Sequence, residues 1–376
     1  MKVEPHLFKR MSAAHQEFFR TAVGLRFYTD FLTAHGKHIF IFGTTGSGKT
    51  NKGIWFVDIL KYLELQIWFD SCKSNEILPL LCLGMKVRII VPAGTTIEIQ
   101  ERKGGKWERI RNHPEVVPVT SPDAAIDAIH VGSWDKNWHR VRDTINIISF
   151  RNGFTRKEIA VSWIAEFFER MADRARRNTL PPMDPATIHI DESQWAVAGK
   201  RISGEGERNK ASEVITENSL DFRSFRIRLA LYAQSYKNIP PAARENMLFN
   251  VICRGGFVTS EENANLSAWC RNAEWRTPTS PMQFKPWHGR FVFENGDSFP
   301  PLSPWHFRQY PLEDRDRDWI ARCRVVYDGR NDEQSDSQEI QTECMPDLGR
   351  FQAMAIKPEL QEMAKSRWDV PAGTDE

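Results

Sequence analysis

IFIFGTTGSGKTNKG, residues 39–53, decides the reading of this chain. An apolar run stops at Gly43, a glycine-rich loop follows, and Lys49-Thr50 close it. Gly43, Thr44, Thr45, Gly46, Ser47, Gly48, Lys49 and Thr50 fit G-x-x-x-x-G-K-[ST] completely. A strand before and a helix after are expected, the helix running from about Lys49 to Leu63. The glycines let successive backbone N–H groups face a phosphate, and the helix N-terminus adds a favourable dipole. In that frame Lys49 reaches the β- and γ-phosphates of ATP, and Thr50 is a ligand for Mg2+.

A phosphate loop needs a carboxylate partner, and ATIHIDE at 186–192 supplies one. Ile188 and Ile190 alternate into a buried strand, leaving Asp191 at its carboxyl end, where parallel sheets bind their ligands. Asp191 is expected to hold Mg2+ through water, and Glu192 to polarise the attacking water as general base. The competing reading of this pair is an acidic helix cap. A small-molecule kinase has no need of a water-activating glutamate there. RIRLALYAQ at 226–234 ends an apolar strand on Gln234, placed to reach the γ-phosphate or its water. His189, between two isoleucines, reads as a packed core residue.

Around these motifs, strands alternate with helices through most of 38–260, which predicts an α/β domain with a mainly parallel sheet and helices on both faces. Residues 5–35 read as a helical lead-in, with Phe18, Phe19, Val23 and Phe27 at helical spacing. QIWFD is a second strand, and EILPLLCLGM a helix broken by Pro79. Residues 86–120 are short, alternating and β-branched, with the turn KGGK, and are expected as a β-rich insertion. Residues 156–177 form the clearest amphipathic helix, with Ile159, Trp163, Phe167 and Met171 on one face. SGEGERNKASE at 203–213 reads as a loop before a helix at about 212–223. The expected domains are a lead-in at 1–36, a core at 37–300 and a C-terminal extension at 301–376 with an acidic tail.

The chain has 376 residues, 41% of them hydrophobic and 13 of them Trp, enough for a sizeable core. Its net charge of +2 conceals an asymmetry: from Gly329 onward, acidic residues outnumber basic ones by eleven to five. The remaining body is basic, a weak pointer to a polyanion partner. Six cysteines without CxxC spacing argue for free thiols in a reducing compartment over zinc or disulfides. No apolar run approaches the roughly 20 residues of a membrane span, and the first residues lack a signal-peptide core. A cytoplasmic protein is expected.

The motif order resembles the HerA/FtsK superfamily of DNA-pumping ATPases over about 36–295. The more specific part is ALYAQSYKNIPPAARENMLFNVICRGGF: a strand ending near Gln234, then Ile239-Pro240-Pro241, Arg244 and Asn246, then the next strand. The resemblance implies a RecA-like P-loop core. It also implies an arginine about ten residues before the glutamine, acting in a neighbouring subunit. Arg223 matches that position, with Arg226 and Arg244 as alternatives, and Asp70 matches the acid that ends the second strand. An arginine supplied in trans implies a homo-oligomeric ring, expected as a hexamer.

The implied activity is ATP-driven translocation of double-stranded DNA without sequence preference. Lys200, Arg201, Arg208 and Lys210 are candidate phosphate contacts. The chain departs from the family in places: Gln-Ser-Tyr stands where Gln-Arg-Pro is usual, and only 42 residues precede Gly43. A compact motor of this kind resembles viral genome-packaging ATPases or the motors of mobile elements, acting in a host cell or on a virion with capsid or membrane-vertex proteins as partners. A helicase acting on DNA ends, or an assembly ATPase that remodels protein, are the alternatives.

Overall fold

The computed structural model describes residues 5–70, 77–133, 144–150, 157–177, 179, 185–191, 193, 206–271, 289–292, 314–327 and 330–331. The chain enters through three short helices, α1 (Pro5–Phe8), α2 (Ala13–Arg20) and α3 (Ala22–Phe27), and a π-turn at Tyr28–Leu32. Thr21 accounts for the break between α2 and α3. Its hydroxyl donates to the Phe18 carbonyl at 2.7 Å and accepts from Gly24 N at 3.0 Å.

The core strands and helices then alternate: β1 (Ile39–Phe42), α4 (Lys49–Leu60), β2 (Leu65–Asp70), α5 (Ile77–Leu81), β3 (Lys86–Pro92), β4 (Ile97–Lys103), β5 (Lys106–Arg109), β6 (Glu115–Val119), α6 (Pro122–Ser133), β7 (Thr144–Ser149), α7 (Lys157–Arg176), β8 (Ala186–Ile190), α8 (Gly206–Ser224), β9 (Ile227–Ala233), α9 (Pro241–Glu245), β10 (Phe249–Cys253), α10 (Ala264–Arg271) and β11 (Gly289–Val292). A helix at Asp314–Ala321 and strands β12 (Cys323–Tyr327) and β13 (Arg330–Asn331) follow.

The main sheet runs β11-β10-β1-β9-β8-β2-β7-β3-β6. Its pairs are parallel except that of β11 with β10. This is the α/β fold that the strand–helix alternation predicts. One face carries α4 and the aromatic residues of the lead-in. Phe27 and Phe31 pack on Phe56 and Phe291 there, with ring centroids 4.9 to 6.3 Å apart where Phe249 is included. The other face carries α6, α7 and α8, with Phe167, Phe168, Met171 and Phe222 fully buried. Strands β1, β7, β8 and β9 are buried on both faces, as their continuous apolar runs require.

Three local expectations change. Residues 86–120 divide between two sheets. β3 and β6 extend the main sheet, while β4 and β5 join β12 and β13 in a four-stranded antiparallel sheet. The reason lies in β3 (KVRIIVP), whose five central residues are all buried, so it has no solvent face to offer. Gly104 and Gly105, both at positive φ, close the β4–β5 hairpin as KGGK suggests. Residues 206–213 are the first turns of α8, not a loop. Pro79 does not break α5, because it falls in the first turn, where its missing N–H has no intrahelical partner to lose.

One buried ion pair fastens the lead-in to the end of the sheet away from the phosphate loop. Arg228 and Glu64 are both fully buried, 2.8 Å apart. The same guanidinium donates to the carbonyls of Phe31, Ala34 and Lys37, at 2.8 to 3.2 Å. Burial alone would raise the Glu64 carboxyl, but the charge and hydrogen bonds of Arg228 and His35 hold it at about 2. Among the described residues, no helix is long and apolar enough to cross a membrane.

Candidate nucleotide site

The glycine-rich loop leaves β1 between the tips of β9 and β10. Gly43 N donates to the Ala233 carbonyl at 3.3 Å, and Thr44 N to the Arg254 carbonyl at 3.0 Å. The Thr44 hydroxyl donates to the same Arg254 oxygen at 3.1 Å. Gly46 and Gly48 hold φ of +74° and +79°, the left-handed region that turns backbone N–H groups toward a common centre. Gly43 is needed for a different reason: a Cβ there would lie 2.6 Å from the Cβ of Cys253.

Two lysines brace this loop from the first turns of α4. Lys49 Nζ donates to the carbonyls of Gly43 at 3.0 Å and Thr44 at 3.1 Å. Lys52, which sequence reasoning passed over, is fully buried and donates to the carbonyls of Ser47 at 3.0 Å and Gly48 at 3.3 Å. Burial pushes the Lys52 ammonium below its ordinary value, while the neighbouring Cys253 thiol acts the other way. Its one sequence signal is the i,i+3 spacing from Lys49, which places both on one helix face.

β9 lies between β1 and β8, so the phosphate loop and Asp191 flank a single strand tip. The Thr50 hydroxyl spans that gap and donates to Asp191 Oδ2 at 2.6 Å. Asp191 is 1% exposed. Ser193 ties the following backbone to β9, its hydroxyl donating to the Tyr232 carbonyl at 2.9 Å. Gln234 directly follows β9 and is exposed at the tip between the two motifs. Glu192 lies outside the described residues. Asp70, at the tip of β2 beside β8, accepts a hydrogen bond from the Ser149 hydroxyl at 2.8 Å.

Beneath the site, His189 is fully buried and shares hydrogen bonds with Tyr232 and with Gln66, the latter at 2.8 Å. Burial lowers its pKa to about 3, so it is a neutral core residue. Trp68 and Tyr232 stack beside it. α4 crosses this stack at Gly53, where a Cβ would meet Tyr232 Cζ at 3.0 Å and Trp68 Cη2 at 3.1 Å.

The arginines divide differently. Arg223 lies in the last turn of α8, just before β9, so it sits at the end of that strand opposite Gln234. The seven residues of β9 put roughly 20 Å of strand between those ends. There the Arg223 carbonyl would lie 2.6 Å from a Cβ on Gly36, in the turn before β1. Arg226, at the same end, is exposed with φ of +58°. Arg244, in α9, sits over the Tyr236 ring at 4.7 Å. Lys210 is exposed on α8, whereas Lys200, Arg201 and the Arg208 side chain fall outside the described residues.

The residues present fit a nucleoside triphosphate and a divalent cation: left-handed glycines, a helix N-terminus, a lysine, and a hydroxyl–carboxylate pair in contact. No protein-family model matches the chain, and comparison with curated proteins gives no match. Among solved structures, it is similar to the genome packaging NTPase B204 from Sulfolobus turreted icosahedral virus 2 in complex with AMP. That likeness has 11% identity and a TM-score of 0.37, over 70% of this chain and 96% of that one. EssC (ATPases 2 and 3) from Geobacillus thermodenitrificans is similar at 11% identity and a TM-score of 0.40, over 77% of this chain and 44% of that one. The N-terminal domain of zonular occludens toxin from Neisseria meningitidis is similar at 11% and 0.26, over 76% and 98%. Likeness at this level says nothing of activity; the chemistry of the chain rests on its own site.

Proposed function

We propose that this protein binds ATP with Mg2+, hydrolyses it, and uses the energy to move along double-stranded DNA as a ring of identical subunits. The observation that carries the hydrolytic half is the Thr50–Asp191 contact, which joins the phosphate loop to the carboxylate strand across one intervening strand.

In this reading the loop N–H groups and Lys49 hold the β- and γ-phosphates, Lys49 exchanging its loop carbonyls for phosphate oxygens. Thr50 and Asp191 would hold Mg2+, which neutralises charge on the β- and γ-oxygens when bound. Glu192, next along the chain, accepts a proton from the attacking water as its oxygen bonds to the γ-phosphorus and the β–γ bridging oxygen departs with ADP. Gln234 orients that water. Arg223 lies too far along the sheet to serve its own loop, so it serves the loop of the neighbouring copy, the role the superfamily resemblance implies for it.

The DNA half rests on that resemblance and on the basic body of the chain. The test is steady-state ATP turnover of the purified protein with and without duplex DNA, single-stranded DNA and RNA. Stimulation by duplex DNA that weakens steeply with salt is expected. Turnover indifferent to every nucleic acid would overturn the DNA half and favour protein remodelling. Stimulation by single strands alone would favour a helicase.

A further inference from the structure

The two sides of the phosphate loop are not equivalent: β9 and β8 lie on one side of β1 and β10 on the other. On the ATP reading above, the γ-phosphate end would face β9 and β8, where Gln234 and Asp191 stand. The nucleoside must therefore leave the loop on the other side of β1, over the tip of β10. That tip continues into the turn at residues 254–257, Arg-Gly-Gly-Phe.

This turn is built against the phosphate loop. The Arg254 carbonyl accepts from both the backbone and the hydroxyl of Thr44, at 3.0 and 3.1 Å. Gly255 holds φ of +68°, and a Cβ there would lie 2.5 Å from Thr44 Cγ2. Gly256 is as tightly placed, since a Cβ would meet the Cys253 carbonyl at 2.9 Å. Two residues beyond Gly255 the chain reaches Phe257, at most about 7 Å of backbone away. Cys253, Gly256 and Val258 are buried, yet Phe257 is 51% exposed and belongs to neither core cluster. Among the described residues Trp107 is the other exposed aromatic, and the Arg324 guanidinium covers it at 4.1 Å. Phe257 is thus an exposed aromatic residue two positions from Gly255, on a turn that the phosphate loop itself holds in place.

We infer that Phe257 is the nucleobase contact of this site, stacking a purine on its ring while the exposed Arg254 lies alongside. The inference rests on the ATP reading above and adds to it a residue and a ligand part. Stacking reads ring area and not hydrogen-bond pattern, because every base has a π-face. ATP and GTP therefore bind alike, and CTP and UTP more weakly. The contact is made equally in ground and transition states, so its loss raises KM and leaves kcat unchanged.

The experiment is calorimetric titration of the full-length protein with ATP, CTP and inorganic tripolyphosphate, each with Mg2+, on wild type and on Phe257→Ala and Phe257→Trp. Phe257→Ala is expected to weaken ATP by about 5- to 150-fold, the usual worth of one stacked base, and to leave tripolyphosphate unchanged. Phe257→Trp is expected to retain ATP. ATP binding unchanged in Phe257→Ala would overturn the inference. So would equal weakening of ATP and tripolyphosphate, which would mean that the turn supports only the loop. Wild type binding neither ligand would sink the nucleotide reading itself, and this inference with it.

Discussion

Thr50 and Asp191, 141 residues apart in sequence, meet at 2.6 Å through a single hydrogen bond. A hydroxyl and a carboxylate placed so closely at the foot of a phosphate loop form a ready oxygen pair for a hard divalent cation. Thr50→Ala is expected to weaken Mg2+ dependence by about 10- to 100-fold, the usual effect of disturbing a metal's supporting oxygens. ATP hydrolysis measured against Mg2+ concentration checks this. A half-saturation equal to wild type would remove Thr50 from the cation site. Asp191→Asn should lower kcat more than Thr50→Ala, because it removes charge as well as an oxygen.

Gly53 lets α4 lie against the Trp68–Tyr232 stack, with 3.0 to 3.1 Å left for any Cβ. A valine there must push the helix away from rings that are themselves buried. Gly53→Val is expected to cost about 1–3 kcal/mol of stability, the range for overpacking a filled core. It should also lower nucleotide affinity, because Lys49 and Thr50 ride on the same helix. Thermal melting and ATP titration of one sample check both effects. A melting temperature at or above wild type would mean that the stack yields easily.

Much of this arrangement is legible in the sequence for identifiable reasons. The phosphate loop announces itself because its backbone demands glycine at Gly46 and Gly48, and its chemistry demands Lys49 and Thr50. The strand before Asp191 is legible because both of its faces are buried, leaving an unbroken apolar run. The helix at Pro122–Ser133 is absent from the sequence reading above, although its signals are ordinary: the Ser121 hydroxyl accepts from Ala124 N at 3.2 Å, Pro122 opens the helix, and Asp123 follows. Pattern sets strands β3 and β6 apart as an insertion because it cannot tell which sheet a strand joins. That choice is made by partners distant in sequence, as Ile89 meets Ile147 of β7. Lys52 escaped notice because a lysine in the first turns of a helix normally faces water. Here two loop carbonyls accept hydrogen bonds from it instead.

Burial lowers the pKa of several histidines, His15, His38, His130 and His189 among them, which makes stability depend on pH above the carboxylate range; the two fully buried ones shift furthest. His38 and His189 are both fully buried, and burial lowers each to about 3 from an ordinary 6.5. His38 accepts from Leu229 N at 3.0 Å on Nδ1 and donates to the Ser219 carbonyl at 2.7 Å from Nε2, so its folded form is neutral. The unfolded chain takes up these protons first as pH falls below 6.5, and the folded chain does so only near 3. Stability is therefore present above 6.5 and is lost as pH falls, by up to roughly 2.7 kcal/mol per pH unit for the two together. Urea unfolding between pH 7 and 4 measures the slope. His189→Gln should reduce it by up to about 1.4 kcal/mol per unit. An unchanged slope would mean that His189 is already protonated in the fold.

Arg223 stands at the end of β9 away from Gln234, beside the turn at Gly36. No rearrangement short of breaking β9 brings it to its own phosphate loop. If it acts, it acts on a neighbour, and activity depends on assembly. Arg223→Ala is therefore expected to bind ATP normally and to lose up to about 10³- to 10⁵-fold in turnover, the range for arginines of this kind. Lys49→Ala is expected to be inactive through lost phosphate binding. Mixed together, the two should recover activity, since some interfaces then pair an intact loop with an intact arginine. Turnover against mixing ratio gives a maximum if the arginine works in trans. A flat, inactive mixture that still assembles would exclude that role for Arg223. The same pairing with Arg226→Ala and with Arg244→Ala then decides which arginine crosses the interface.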